Sequence, residues 1–165
     1  MQLAAGSRQK IATHLWFDRN AEEAIDFYCA LLPDSRVKGK LLYGKDQMGP
    51  EGSVMSIVFD LCGQEFMAVN GGPHYRMSPA ISLFLKCADQ GEIDHYWEKL
   101  LAGGGQALAC GWLTDRFGVT WQVVPEALYG MLADRDNSRS ARVMAALLGM
   151  TKLDLAALER AFASD

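Results

Sequence analysis

The chain has no run of five or more basic residues, and its formal net charge is −4. Without a cationic stripe there is little to displace counterions from a phosphate backbone, which excludes a nucleic-acid partner on electrostatic grounds. No apolar run approaches the roughly 18 residues that a membrane span needs. Met1 to Lys10 lacks the apolar core of a signal peptide. The four cysteines, Cys29, Cys62, Cys87 and Cys110, form no C-x-x-C pair. That spacing argues against a structural zinc site and fits reduced thiols, so a cytoplasmic protein is expected. What remains is ordinary for a globular chain of 165 residues: half of them are hydrophobic (50%) and 22% charged. A single domain, or two small modules sharing a core, is the natural size.

The informative feature is a repeat. Ile25-Asp26-Phe27-Tyr28-Cys29-Ala30-Leu31-Leu32 returns as Ile93-Asp94-His95-Tyr96-Trp97-Glu98-Lys99-Leu100, about 68 positions on. The same shift lays Thr13-His14-Leu15-Trp16-Phe17 onto Ile81-Ser82-Leu83-Phe84-Leu85. Strand and helix sharing one period indicate a duplicated module that begins with a strand feeding an amphipathic helix. A second alignment, offset by about 55 positions, lays Gly63 to Val69 over Gly118 to Val124.

In chain order, Met1 to Gln9 reads as a lead-in and Ile11 to Phe17 as a strand. Asn20 is the expected N-cap of a helix whose apolar stripe is Ala24, Ile25, Phe27, Tyr28, Leu31 and Leu32. Pro33-Asp34-Ser35 stops it. Strands follow over Val37 to Tyr43, Val54 to Leu61 and Gln64 to Asn70. Gly44 to Gly52 has the composition of a mobile loop, and Cys62-Gly63 makes a tight turn. The second copy has strands over Ala80 to Lys86, Gln106 to Ala109, Gly111 to Thr114 and Val119 to Val124. Its helix is capped by Asp89 and closed by Gly103-Gly104-Gly105. A helical tail over Glu126 to Leu132, Ser140 to Leu148 and Leu153 to Phe162 has apolar residues at helical spacing. It should pack on the domain's own flank or on a second subunit.

The fold class expected is therefore α+β: paired βαβββ modules, residues 10–73 and 79–125, within one domain over 1–165 that includes a helical tail, 126–165. Side chains alternate across a strand. The odd residues of the first strand are apolar and should meet the helix, which turns His14 and Trp16 to the other face. The repeat gives Ser82 and Phe84 that role in the second module. In the closing strands Phe66 and Trp121 face the helices, and Glu65, Met67, Thr120 and Gln122 face the hollow. An apolar cavity with a few polar groups is how small-molecule sites are built.

These stretches resemble a known family. Leu15-Trp16-Phe17-Asp18, Ala21-Glu22-Glu23-Ala24, Phe27-Tyr28, Asn70-Gly71-Gly72-Pro73, Cys110-Gly111-Trp112-Leu113 with Asp115, Gly118 to Pro125, and the tail from Met150 to Glu159 are similar to the PhnB-like branch of the vicinal oxygen chelate (glyoxalase/bleomycin-resistance/dioxygenase) superfamily. That branch often carries the label 3-demethylubiquinone-9 3-methyltransferase. The resemblance implies a small organic ligand, a homodimer, and, in the metal-dependent members, one divalent ion held by the first and last strands of each module. Carried over, the four ligand places fall at His14, Met67, Ser82 and Gln122. Only His14 is a strong ligand, so no tightly bound metal or other cofactor is expected. Glu65 shares the face of Met67 and is the one carboxylate able to lean in.

Three readings follow: a metal-free small-molecule-binding protein, a metal-dependent lyase, isomerase or dioxygenase, and a non-catalytic sequestering protein. In an enzyme, His14 is the expected acid/base group and Gln122 an orienting amide. The ligand-binding set is His14, Trp16, Glu65, Met67, Ser82, Phe84, Trp112, Thr120 and Gln122. His74 and His95 read as ordinary loop and helix imidazoles. Cys110 has no legible base or helix N-terminus to lower its pKa and reads as packing. The three consecutive glycines follow a helix rather than precede one, so they offer no phosphate cradle. No strand, Gly-rich turn and helix in sequence suggests a nucleotide-type cofactor for methyl transfer.

Overall fold

The computed structural model describes residues 9–164, so the expected lead-in lies, except for Gln9, outside the described residues. The chain divides into two compact units, one ending at Met77 and the other beginning at Ser78. Each carries one β-α-β-β-β module.

In the first unit β1 (Thr13–Phe17), β2 (Arg36–Leu42), β3 (Val54–Leu61) and β4 (Gln64–Asn70) form a sheet in the order β1-β4-β3-β2. β1 lies parallel to β4, and the other pairs are antiparallel. The period-two pattern works as expected. Leu15, Phe17, Ile57, Phe59, Phe66 and Ala68 are buried with Ala21, Ala24, Ile25 and Tyr28 of α1 (Ala21–Leu31). Cys62 and Gly63 both have positive φ, 48° and 75°, which is the geometry of a two-residue hairpin turn matched to strand twist. The helix start differs from expectation. Asn20 sits at the N-cap but makes no side-chain cap bond. Asn70, at the far end of β4, supplies it instead: its Oδ1 accepts from Ala21 N at 2.9 Å, and its Nδ2 donates to Val54 O at 2.9 Å. One amide thereby ties helix, β4 and β3 together.

In the second unit the order is β5-β8-β7-β6, with β5 (Leu83–Cys87) parallel to β8 (Thr120–Pro125). β6 (Gln106–Ala107) and β7 (Trp112–Thr114) are shorter than the sequence suggested, and β5 starts after Ser82 rather than at Ala80. The cap of α2 (Gln90–Leu101) is as expected and reciprocal. Asp89 Oδ1 accepts from Glu92 N, and Glu92 Oε2 accepts from Ala88 N. Ile93, Tyr96, Trp97 and Leu100 of α2 are buried with Leu113, Trp121 and Val123 of the sheet.

The tail packs on the second unit's own flank. α3 (Ala127–Leu132), α4 (Asn137–Leu148) and α5 (Leu155–Ala163) close with Val124 around a cluster that includes Leu128, Val143, Leu147, Leu153 and Leu158. α4 begins before the expected Ser140 because Asp136 caps it, accepting from Ser138 N. The tail is also tied by backbone: Cys110 N donates to Met150 O and Gly111 N to Thr151 O, both at 2.8 Å. Gln90 brackets the chain, donating to Leu153 O and accepting from Leu155 N. Among the described residues no helix is long and apolar enough to cross a membrane.

Candidate functional site

The residues expected on the sheet faces fall into two groups, one per unit. On the first sheet, away from α1, exposed His14 lies beside Met67 in the parallel β1–β4 register. Trp16 comes next along the strand and is already engaged. Its indole Nε1 donates to Gly72 O at 2.9 Å, and the Tyr75 ring meets it edge-on at 5.0 Å. Gly71 lies so close that a Cβ there would come within 2.2 Å of the indole. Trp16 is thus a prop for the Gly71-Gly72 backbone. Glu65, the carboxylate able to lean toward an ion, is held elsewhere. Lys38 Nζ is 2.6 Å from Glu65 and 3.3 Å from Asp60, with side chains only 17%, 19% and 14% exposed. The hydrogen bond that Lys38 donates to Glu65 is the main cause that holds the pKa of the Lys38 amine above its ordinary value.

On the second sheet the register aligns Phe84 of β5, Gln122 of β8 and Trp112 of β7 in one row, because Phe84 pairs with Gln122 and Gln122 with Trp112. Alternation then puts all three on one face. Gln122 Nε2 donates to Ser82 Oγ at 2.7 Å, and its carbonyl oxygen has no partner among the described residues. Phe84 is 36% exposed and leans on Tyr129 of α3, with ring centroids 5.6 Å apart. Thr120 departs from expectation. It has the same parity as Gln122, yet it is only 2% exposed and its hydroxyl is unpartnered.

Asp115 positions this row. Its Oδ1 accepts from Phe117 N and Val119 N at 2.9 and 3.0 Å, and its Oδ2 accepts from Trp121 Nε1 at 2.8 Å. The carboxylate fixes the β7–β8 turn and anchors the inward neighbour of Gln122.

The register also revises the ligand places. His14 pairs with Met67, and Phe84 pairs with Gln122. The position equivalent to His14 is therefore Phe84 rather than Ser82. An imidazole, a thioether, a phenyl ring and a neutral amide are not a donor set for a hard or borderline divalent ion. Among the described residues no three His, Cys, Asp or Glu side chains come together as a metal-holding group. The residues present do not fit the metal of the superfamily's enzymes.

A feature the sequence did not reveal is a cavity of about 520 Å³ in the first unit, beyond the C-terminal ends of β1 and β4. It is bounded by the Asp18–Glu22 turn, the loop between β2 and β3, and the backbone after Asn70. That loop is tied across its neck: Tyr43 N donates to Ser53 O, and Gly52 N to Tyr43 O. Asn70-Gly71-Gly72-Pro73, singled out in the sequence as a motif, forms one wall.

A model of the 3-demethylubiquinone-9 3-methyltransferase family matches residues 9–124, leaving the helical tail outside the match. Among solved structures, the chain is similar to the PhnB protein of Bacillus cereus, whose description carries the same methyltransferase name. The two are 36% identical over 70% of this chain and 99% of that one, with a TM-score of 0.64. A Pseudomonas aeruginosa protein is 25% identical over 72% of this chain and 98% of its own, with a TM-score of 0.58. No curated protein matches the chain.

Proposed function

This chain belongs to the 3-demethylubiquinone-9 3-methyltransferase family, the PhnB-like branch of the glyoxalase superfamily, and from that premise we propose that it binds a small organic molecule on its sheet faces without a tightly held metal ion. The observation that carries this reading is the row Phe84, Gln122 and Trp112, in which two aromatic side chains flank an amide whose carbonyl has no partner among the described residues. Aromatic walls supply contact area, and one positioned amide supplies orientation. Ser82 holds the amide by its nitrogen and so leaves the oxygen for a donor on the ligand. His14 and Met67 offer a second small patch, with His14 as the acid/base group if chemistry is done there.

Methyl transfer, the activity in the family's name, finds no support in the turns that follow the first strand of each module. Asp18-Arg19-Asn20 and Ala88-Asp89 contain no glycine and form no phosphate or ribose cradle. The reading includes a homodimer, supported by the apolar side chains Met144 and Leu148 that α4 leaves 42% and 66% exposed. It also includes a reducing, cytoplasmic setting, supported by four cysteines that are all free. The test is a thermal-shift screen of small aromatic compounds bearing a hydrogen-bond donor. A hit should raise the Tm of the native chain and lose its effect in Trp112→Ala or Gln122→Ala. A hit that stabilises both variants as well as the native chain would place the ligand elsewhere.

A further inference from the structure

We propose that the cavity of the first unit is a second ligand site, separate from the sheet faces, and that it takes a small zwitterion with an apolar side chain, of the free α-amino acid type. Its volume of about 520 Å³ lies within the usual span of small-molecule sites, roughly 300–1,000 Å³. The walls are built rather than accidental. Tyr43 donates its hydroxyl to Asn70 O at 2.6 Å, so it presents only its ring to the cavity. Gly49 lies flat against that ring, where a Cβ would come within 2.3 Å of it, which pins the loop that carries Met48 and Pro50. Met48 stands at the cavity wall 81% exposed and adds a large apolar side chain to the lining.

The charges argue for a ligand of both signs. Glu22 is already matched, with Lys40 Nζ at 2.8 Å. Asp18 and Arg19 are matched only loosely: a single Nε contact at 3.6 Å, with the two side chains 53% and 88% exposed. Such a pair contributes little, about 0–1 kcal/mol. It can therefore open at small cost to place Asp18 on an ammonium and Arg19 on a carboxylate. The α1 N-terminus beside them is already served, because Asn70 Oδ1 accepts from Ala21 N at 2.9 Å, so the ligand's carboxylate is left to Arg19. The polar pair and the apolar wall of Tyr43, Met48 and Pro50 then read one molecule from its two ends.

The test is amide-resolved NMR titration of the full-length protein with L-phenylalanine, phenethylamine and 3-phenylpropionate, at millimolar concentration. L-phenylalanine is expected to shift the amides of Ala21, Gly49, Gly71 and Gly72 saturably. The two analogues, each lacking one charge, are expected to bind at least about tenfold more weakly. Asp18→Asn and Arg19→Gln are both exposed substitutions that leave the fold intact. Each should weaken L-phenylalanine by a similar factor, and Arg139→Gln on the tail should not. No saturable shift, equal binding of all three compounds, or undiminished binding by both cavity variants would overturn the proposal.

Discussion

Asp115 is the residue whose replacement should reveal how the second sheet holds its row of candidate ligand groups. The carboxylate is 4% exposed and accepts from two backbone amides and one indole. Hydrogen bonds to a charged group contribute about 1.5–3 kcal/mol each, and a buried donor left unpaired costs about 1–3 kcal/mol. In Asp115→Asn the remaining oxygen can keep the two amides, at neutral rather than charged strength. The new NH2 must then face the Trp121 Nε1–H, and Trp121 is only 2% exposed, so water cannot repair the mismatch. The expected loss is about 2–4 kcal/mol. Urea unfolding followed by far-UV circular dichroism measures it, with the slope required to stay constant. A double-mutant cycle isolates the indole. In a Trp121→Phe background the donor is gone, and the asparagine should cost about 1–2 kcal/mol less than it does alone. An Asp115→Asn loss below about 1 kcal/mol, or strict additivity with Trp121→Phe, would refute the claim that this carboxylate is the keystone of the β7–β8 turn.

Other consequences can be measured separately. Gly71→Ala should displace the Trp16 ring, cost about 1–3 kcal/mol and change the tryptophan emission; an unchanged spectrum and stability would mean that the close approach is not real. Leu153→Ala, at a fully buried position of the tail that packs against Gly111, should destabilise by about 2–5 kcal/mol, and removal of residues 153–165 should lower stability or alter the sedimentation mass. The Asp94 carboxyl is held below its ordinary 3.8, first by the hydrogen bond from Lys152 and then by that from Gln90. Its folded value is depressed, so the contribution to stability is present above 3.8 and lost as pH falls through the folded value. An NMR titration should show the low midpoint, and Lys152→Met should raise it. Cys87 is buried, and desolvation, with Glu92 next in importance, pushes its thiol up to about 12. At mildly alkaline pH a thiol reagent should therefore modify exposed Cys62 first and Cys87 only on unfolding.

Most of the architecture was legible because it rests on local patterns. Alternation put Leu15, Phe17, Phe66 and Trp121 inside and His14 and Met67 outside, and the structure agrees. The helix repeat predicted the second module from the first. The strand repeat misled by its register. The turn into α2 is shorter than the turn into α1, so the helices align with one offset and the strands with another, and Ser82 stood where Phe84 belongs. Thr120 shows the limit of parity, which assigns a face but not a covering. Asn70 caps a helix far from it in sequence, and Lys38 claims Glu65 from another strand; neither partnership leaves a local signal. The cavity is made of three loops whose residues meet only in the fold, which is why no periodicity pointed to it.

The central claim is that the ligand places of this superfamily member do not hold a metal. It is tested most directly by elemental analysis of protein purified without an affinity tag or chelator. The account predicts divalent metal far below one ion per chain, with no rise after incubation with zinc, manganese or nickel and desalting. A stoichiometric ion that is lost in His14→Ala would contradict it and would restore a metal-dependent reaction to the first sheet face.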